Sequence, residues 1–250
     1  MRPKIVLFGD SITEGSFGEG GWGAGLAHHF ARWADVLLRG YSGYNTRWAL
    51  KVVERAMEGV CPDGSAPPAA VTVFFGANDA SLPDRRSGFQ HVPLLEYQSN
   101  LRALCGFLKE RWPRTGIILI TPPPIDEEGR LQQNSDAELN KSLIRDTGDS
   151  SGLPERTNES AGAYAKGCKA VAEELGLPVI DIWSIMQGCP NWEKSCLSDG
   201  LHFTPYGNKV LYEEVVKKLR DGGLCIGTLP ADLPLFSSID PNDPLKSFSN

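Results

Sequence analysis

Ser11, in the stretch FGDSITEG (residues 8–15), lies two positions past a glycine at the close of the apolar run KIVLF. A serine hydroxyl is a poor nucleophile until a neighbouring imidazole accepts its proton, so Ser11 carries chemistry only if partners meet it. The chain offers them. His202 stands in DGLHFTP with Asp199 three residues before it, and an acid beside an imidazole fixes its tautomer and stabilises its protonated form. Asn78, in GAND, carries a side-chain amide. Gly43, in GYSGYNT, brings a backbone N–H close because it lacks a Cβ. With the amide of Ser11 itself, these are donors for a tetrahedral oxyanion, and losing one such donor typically raises a barrier by ~3–4 kcal/mol. The set is what acyl transfer needs.

Each residue also has a plainer reading. Serine after a strand often caps a turn into a helix. Asp-Gly is turn chemistry, and an asparagine after a strand can fill a left-handed position. Gly40 is as good a turn residue as Gly43. Among the histidines, His28 and His29 fall in a helical pattern, one toward the core and one toward solvent, and His91 lies in a loop. The acid three residues earlier, in a loop before a helix, singles out His202. Asp10 and Asp79 read as braces that accept backbone N–H bonds.

The elements that must position these groups alternate regularly. Strand candidates are Ile5–Phe8, Val36–Leu38, Val71–Phe75, Ile117–Ile120 and Val179–Ile182, each short and apolar on both faces. Helical candidates lie between and after them, at Trp22–Trp33, Thr46–Glu58, Leu94–Arg111, Asn158–Leu175 and Pro205–Arg220. This order predicts a three-layer α/β/α sandwich, a flavodoxin-like doubly wound sheet of about five parallel strands. Ligands bind such sheets beyond the carboxyl ends of the strands, where Ser11, Gly43 and Asn78 fall. Residues 1–222 form the predicted domain, with 223–250 an extended tail carrying several prolines. Residues 121–157 are polar and long for a connection, which predicts a lid or a substrate-side insertion.

With 250 residues, 41% hydrophobic and 22% charged, the chain can bury a core without a metal or disulfide staple. A net charge of −6 with no basic stripe argues against nucleic acid as a partner. No run approaches a membrane span or a signal-peptide core, so the expected address is the cytoplasm. The six cysteines contain no CxxC pair and read as reduced thiols, although Cys189 and Cys196 are close enough in sequence to bridge. No histidine pairs with cysteines at zinc-ligand spacing. The charge and the tail are compatible with a monomer or a homodimer.

The blocks GDSIT, GYSGYNT, GAND and DGLH, in that order, resemble the GDSL/SGNH hydrolase family. The wording NT after the second block, TPPP, and DGLHFTPYGN is similar to its isoamyl-acetate-hydrolysing esterase branch, plant members included. The resemblance covers about residues 4 to 220, with Ile12 where the family name has leucine. It implies Ser11 as nucleophile, His202 as general base and Asp199 as its orienting acid. The oxyanion hole would come from Ser11, Gly43 and Asn78. It further implies a serine esterase on short acyl, acetate-type esters, working through an acyl-enzyme without cofactor or metal.

Carbohydrate O-deacetylation or thioester hydrolysis would suit the same constellation. A flavodoxin-like module binding a phosphate-bearing ligand at its glycine-rich loops is the non-enzymatic alternative, and it leaves Asn78, Asp199 and His202 without a purpose. GEGGWG (residues 18–23) matches G-x-G-x-x-G. It lies ten residues too late for the dinucleotide fingerprint and reads as a flexible loop beside the site. An imidazole base also predicts activity that falls on acidification with a midpoint of ~6–7.

Overall fold

A computed structural model describes residues 2–62, 66–132 and 153–248. Five parallel strands, β1 (Lys4–Gly9), β2 (Asp35–Gly40), β3 (Ala70–Phe74), β4 (Gly116–Ile120) and β5 (Val179–Ile180), pair in the order β2-β1-β3-β4-β5. Winding therefore reverses between β1 and β3, and doubly wound sheets bind ligands at such a switch. Successive β1 side chains point to opposite faces: Val6 and Phe8 enter one core, Ile5 and Leu7 the other.

On the first face pack α3 (Thr46–Ala56), α4 (Leu94–Arg111) and α6 (Asn158–Glu174), through Val53, Leu101, Leu104, Leu108 and Val171. On the second pack α2 (Trp22–His29), α7 (Ile182–Gln187) and α9 (Pro205–Asp221). Leu211, Val215 and Leu219 recur every four residues along α9, the stripe of a helix with one buried face. The short helices α1 (Ser11–Glu14), α5 (127–132) and α8 (Trp192–Ser195) follow β1, β4 and α7 in the chain. The three-layer architecture agrees with the pattern in the sequence.

Helix starts follow their caps. Asn45 accepts from the Trp48 N–H at 2.9 Å, Thr157 from Ser160 at 3.1 Å, and Thr204 from Gly207 at 3.1 Å with Pro205 at the first helical position. Some boundaries differ from the sequence expectation. The fifth strand stops at Ile180 because Asp181 accepts from the Ser184 N–H and caps α7. The helix expected over Trp22–Trp33 ends at His29, before Arg32 turns to a φ of 76°. As an edge strand β2 is half-buried rather than covered on both faces. The lid expected within 121–157 falls largely on 133–152, outside the described residues. After α9, Leu224, Ile226 and Leu229 still pack against the second core, and Asp232 pairs with Arg2 at 2.8 Å. Beyond that point most tail residues are exposed. No described helix is long and apolar enough to cross a membrane.

Candidate active site

The end of β1 delivers Ser11 to the switch point. Gly9 lies between Gly40 of β2 and Phe74 of β3. The next residue, Asp10, caps α1 by accepting from the Ile12 N–H at 3.0 Å, so Ser11 becomes the first residue of that helix. Gly40 is required by this arrangement: a Cβ there would lie 2.0 Å from the Glu14 nitrogen. The chain can thus fold a helical turn directly over the strand ends.

His202 reaches Ser11 from the other end of the chain. Its Nε2 is 3.0 Å from Ser11 Oγ, and its Nδ1 is 2.8 Å from Asp199 Oδ2. A carboxylate only accepts, so Nδ1 carries the proton and Nε2 is left to accept from the hydroxyl. The second Asp199 oxygen accepts the Leu201 and His202 N–H groups at 3.0 and 2.7 Å. The loop closes on itself as well. Ser198 N–H donates to His202 O at 2.8 Å, and Leu197 bridges Phe203. This bend, rather than a helix face, brings Asp-x-x-His together. Burial pushes the Asp199 carboxyl up, but its bonds to His202 and the nearby charges of His202 and Arg130 outweigh it, leaving Asp199 well below the usual carboxylate range.

Three donors face the same region. The N–H groups of Ser11 and Gly43 donate to no acceptor among the described residues. Gly43 has a φ of 77°, a left-handed conformation that favours glycine. Asn78 donates one amide hydrogen to Tyr44 O at 2.9 Å, leaving the other for a ligand. Ser11, Gly43, Asn78 and His202 line one cavity of about 310 Å³. Nucleophile, base, acid and oxyanion donors expected from the sequence therefore converge. Two larger clefts, of about 560 and 490 Å³, contain no such combination.

Four residues in this site were not singled out by their sequence pattern. Arg156, 4% exposed, donates to Ala77 O at 3.0 Å, Asn78 Oδ1 at 3.1 Å and Gln90 Oε1 at 2.8 Å. Gln90 Nε2 in turn donates to Gly43 O at 2.9 Å. Glu155, also buried, accepts from Arg156, Arg130 and Ser87. Arg130 extends to Asp199 Oδ2 at 3.0 Å. Arg130, Glu155 and Arg156 all come from the polar segment whose length made it conspicuous. Their only sequence signal was that polarity.

Asp10 and Asp79 are braces, as expected. Asp79 accepts from the Thr46 N–H at 3.0 Å and from the Thr46 hydroxyl. Burial pushes each carboxyl up to about 7, and one Asp10 oxygen has no partner among the described residues. A raised folded-state value means that the folded protein holds a proton the unfolded chain has released, so stability falls as pH rises from the unfolded value toward 7. The melting temperature of Asp10→Asn minus that of wild type should therefore increase by a few degrees between about pH 5 and about pH 8. A difference that is flat across that range in thermal melts would show that Asp10 does not carry this penalty.

The remaining residues take structural places. His28 is exposed, His29 is hydrogen-bonded to the Tyr212 hydroxyl at 3.0 Å, and His91 Nδ1 donates to Ser81 O at 2.7 Å. GEGGWG divides in two: Gly18, Glu19 and Gly20 form an exposed turn, whereas Gly21, Trp22 and Gly23 are buried. Trp22 is fully buried with its indole N–H donating to Ile12 O at 3.1 Å, and a Cβ on Gly21 would lie 2.2 Å from Ser16 O. Cys189 and Cys196 are free thiols and are not bridged. Among the described residues, no group of three or more His, Cys, Asp or Glu side chains is placed to hold a metal ion.

Comparison with known proteins supplies the family. The profile of the GDSL-like lipase/acylhydrolase family matches residues 7–210. An Arabidopsis thaliana protein named as a GDSL esterase/lipase is 62% identical, covering 99% of this chain and 98% of its own. A Mus musculus isoamyl acetate-hydrolyzing esterase homologue is 40% identical, over 98% and 91%. Among solved structures, a lipase/acylhydrolase from Enterococcus faecalis superposes with a TM-score of 0.65 at 27% identity, covering 94% of this chain and 100% of that one. The chain belongs to the GDSL-like lipase/acylhydrolase family, and its activity is carboxylic ester hydrolysis.

Proposed function

We propose that Ser11 is the nucleophile of an esterase that turns over through an acyl-enzyme. The observation that carries this reading is the chain of contacts from Ser11 Oγ to His202 Nε2 (3.0 Å) and from His202 Nδ1 to Asp199 Oδ2 (2.8 Å). As Ser11 Oγ bonds to the ester carbonyl carbon, its proton passes to His202 Nε2, and Asp199 stabilises the imidazolium. The carbonyl oxygen becomes an oxyanion facing the N–H groups of Ser11, Gly43 and Asn78. Collapse breaks the bond to the alcohol oxygen, which takes the proton from Nε2. Water then gives a proton to the same nitrogen and attacks the acyl carbon, and collapse returns the Ser11 hydroxyl.

Short acyl groups fit the cavity best. Leu201 is its only apolar side chain among the described residues, against Ser42, Arg86, Ser87, Gln90 and the Arg130–Glu155–Arg156 set. The likeness to a relative named for isoamyl acetate supports acetates in particular. Treating the protein with a fluorophosphonate and mapping the adduct should place it on Ser11, and p-nitrophenyl acetate should be hydrolysed faster than the octanoate. An adduct on Ser42, or no adduct, rejects the nucleophile; preference for the long chain rejects the acyl assignment.

One observation favours a second reading, O-deacetylation of a carbohydrate. Phe89, 70% exposed, stacks on Trp48 at 6.2 Å beside Gln90. An aromatic face next to hydrogen-bonding side chains suits a sugar ring. Release of acetate from acetylated oligosaccharides, faster than from isoamyl acetate, would select this reading. The free thiols of Cys105, Cys168, Cys189, Cys196 and Cys225 suit a reducing compartment such as the cytoplasm.

The pH profile separates the base from its acid. Asp199 is held low enough to remain ionised through about pH 4. A decline of kcat/KM on acidification above that point therefore does not report this carboxylate, and its persistence in Asp10→Asn, which removes the neighbouring buried carboxyl, assigns it to the imidazole. Activity that is flat down to about pH 4 would remove His202 as the base.

A further inference from the structure

An amide side chain serves an oxyanion only if its N–H, rather than its carbonyl, faces the reacting centre. Asparagine alone does not decide this, because its two ends are nearly the same shape. Here Arg156 and the Tyr44 carbonyl decide it from opposite ends of the amide. A guanidinium has donors and no acceptor, so the Asn78 atom 3.1 Å from Arg156 Nη2 must be the carbonyl oxygen. The amide nitrogen then turns to Tyr44 O at 2.9 Å, with its second hydrogen unspent. The same Arg156 nitrogen holds Gln90 Oε1 at 2.8 Å, and Gln90 Nε2 holds Gly43 O at 2.9 Å. One buried cation thus orients the side-chain donor directly and the loop of a backbone donor through one intermediary.

Arg156 is itself fixed from the other side. Its Nε donates to Ala77 O at 3.0 Å, one residue before Asn78. Glu155 supplies the counter-charge and shares it with Arg130, which reaches Asp199. The planar fork of arginine can reach these acceptors at once, whereas the single ammonium of lysine cannot.

We propose that Arg156 is a positioning residue for the oxyanion hole, presenting the Asn78 N–H to the developing oxyanion and holding the Gly43 loop through Gln90. The inference rests on the serine esterase reading above, and it concerns transition-state stabilisation rather than the binding of ester.

The test uses Arg156→Gln and Arg156→Lys, each alone and in an Asn78→Ala background, with p-nitrophenyl acetate as substrate. Losing an oxyanion donor costs ~10²–10³-fold in kcat, so Arg156→Gln should lose about 10²-fold with KM changed less than about threefold. An aryl trifluoromethyl ketone forms a hemiketal oxyanion on the serine, and its inhibition should weaken in parallel. Inhibition by isoamyl alcohol, which forms no oxyanion, should not weaken. In the Asn78→Ala background the arginine substitution should cost clearly less than it does alone, because the Asn78 share is already gone and only the hold on the Gly43 loop through Gln90 remains to be lost.

Removing one member of a buried ion pair can unfold a protein. If Arg156→Gln does not fold, Arg156→Lys decides the matter, since it keeps a cation against Glu155 and loses the fork. Unchanged kcat in the folded variants, losses that multiply with Asn78→Ala, or equal weakening of ketone and alcohol inhibition would each overturn the proposal. Failure of the esterase reading shows separately, as wild-type protein that takes no fluorophosphonate on Ser11.

Discussion

Ser11→Ala and His202→Ala are each expected to lower kcat for p-nitrophenyl acetate by ~10⁶-fold, and the double variant should be scarcely slower than either single one. The physical reason is that the two residues perform one act. With Ser11 Oγ 3.0 Å from His202 Nε2, bond formation by the oxygen and transfer of its proton are parts of a single step. Removing the imidazole leaves a neutral hydroxyl, and removing the hydroxyl leaves a base with nothing to activate but water. The donors at Ser11 N, Gly43 N and Asn78 persist in both variants, so some acceleration over water should remain. The His202 side chain is 42% exposed and opens into the cavity, so its loss creates no buried void and thermal melts should change little. His28, exposed on α2, is the control, and His28→Ala should retain wild-type rates. Equal losses at positions 28 and 202 in steady-state assays would mean that the imidazole at 202 is not the base.

What the sequence discloses here follows from how local each signal is. Gly-Asp-Ser after an apolar run encodes a strand end, a cap and a hydroxyl within a few residues, and β1, Asp10 and Ser11 fulfil it. Asp199 and His202 are three apart, so their pairing needed only a bend. The β2-β1-β3-β4-β5 order then brings Ser11 and Asn78 from adjacent strands to one switch point. Arg156 had no such signature. Its partners Ala77, Asn78 and Gln90 lie 66 to 79 residues upstream, and a single arginine before a helix resembles any solvated charge. The short helices α1, α7 and α8 were missed for a related reason. Four to six residues provide too few turns for a helical period to register.

Asp199→Asn should cost ~10⁴-fold in kcat despite changing almost no volume, because of which oxygen it replaces. Asp199 Oδ1 accepts two backbone N–H bonds, from Leu201 at 3.0 Å and His202 at 2.7 Å. Only the carbonyl end of an asparagine can accept them. The NH₂ group is therefore forced into the place of Oδ2, where it meets Arg130 Nη1 at 3.0 Å and His202 Nδ1 at 2.8 Å. Both neighbours are donors in the wild-type site. Arg130 cannot change, so His202 must: its Nδ1 becomes the acceptor and the proton moves to Nε2. An imidazole protonated at Nε2 donates toward Ser11 instead of accepting from it, and the hydroxyl loses its base. The variant should retain the wild-type fold and KM within a few-fold, because the substrate cavity is unchanged. Nitrogen NMR shifts of labelled histidine should show the Nδ1-protonated form in wild type and the Nε2-protonated form in the variant. Wild-type kcat in Asp199→Asn, or an unchanged tautomer alongside the rate loss, would break the link between this carboxylate and the imidazole it faces.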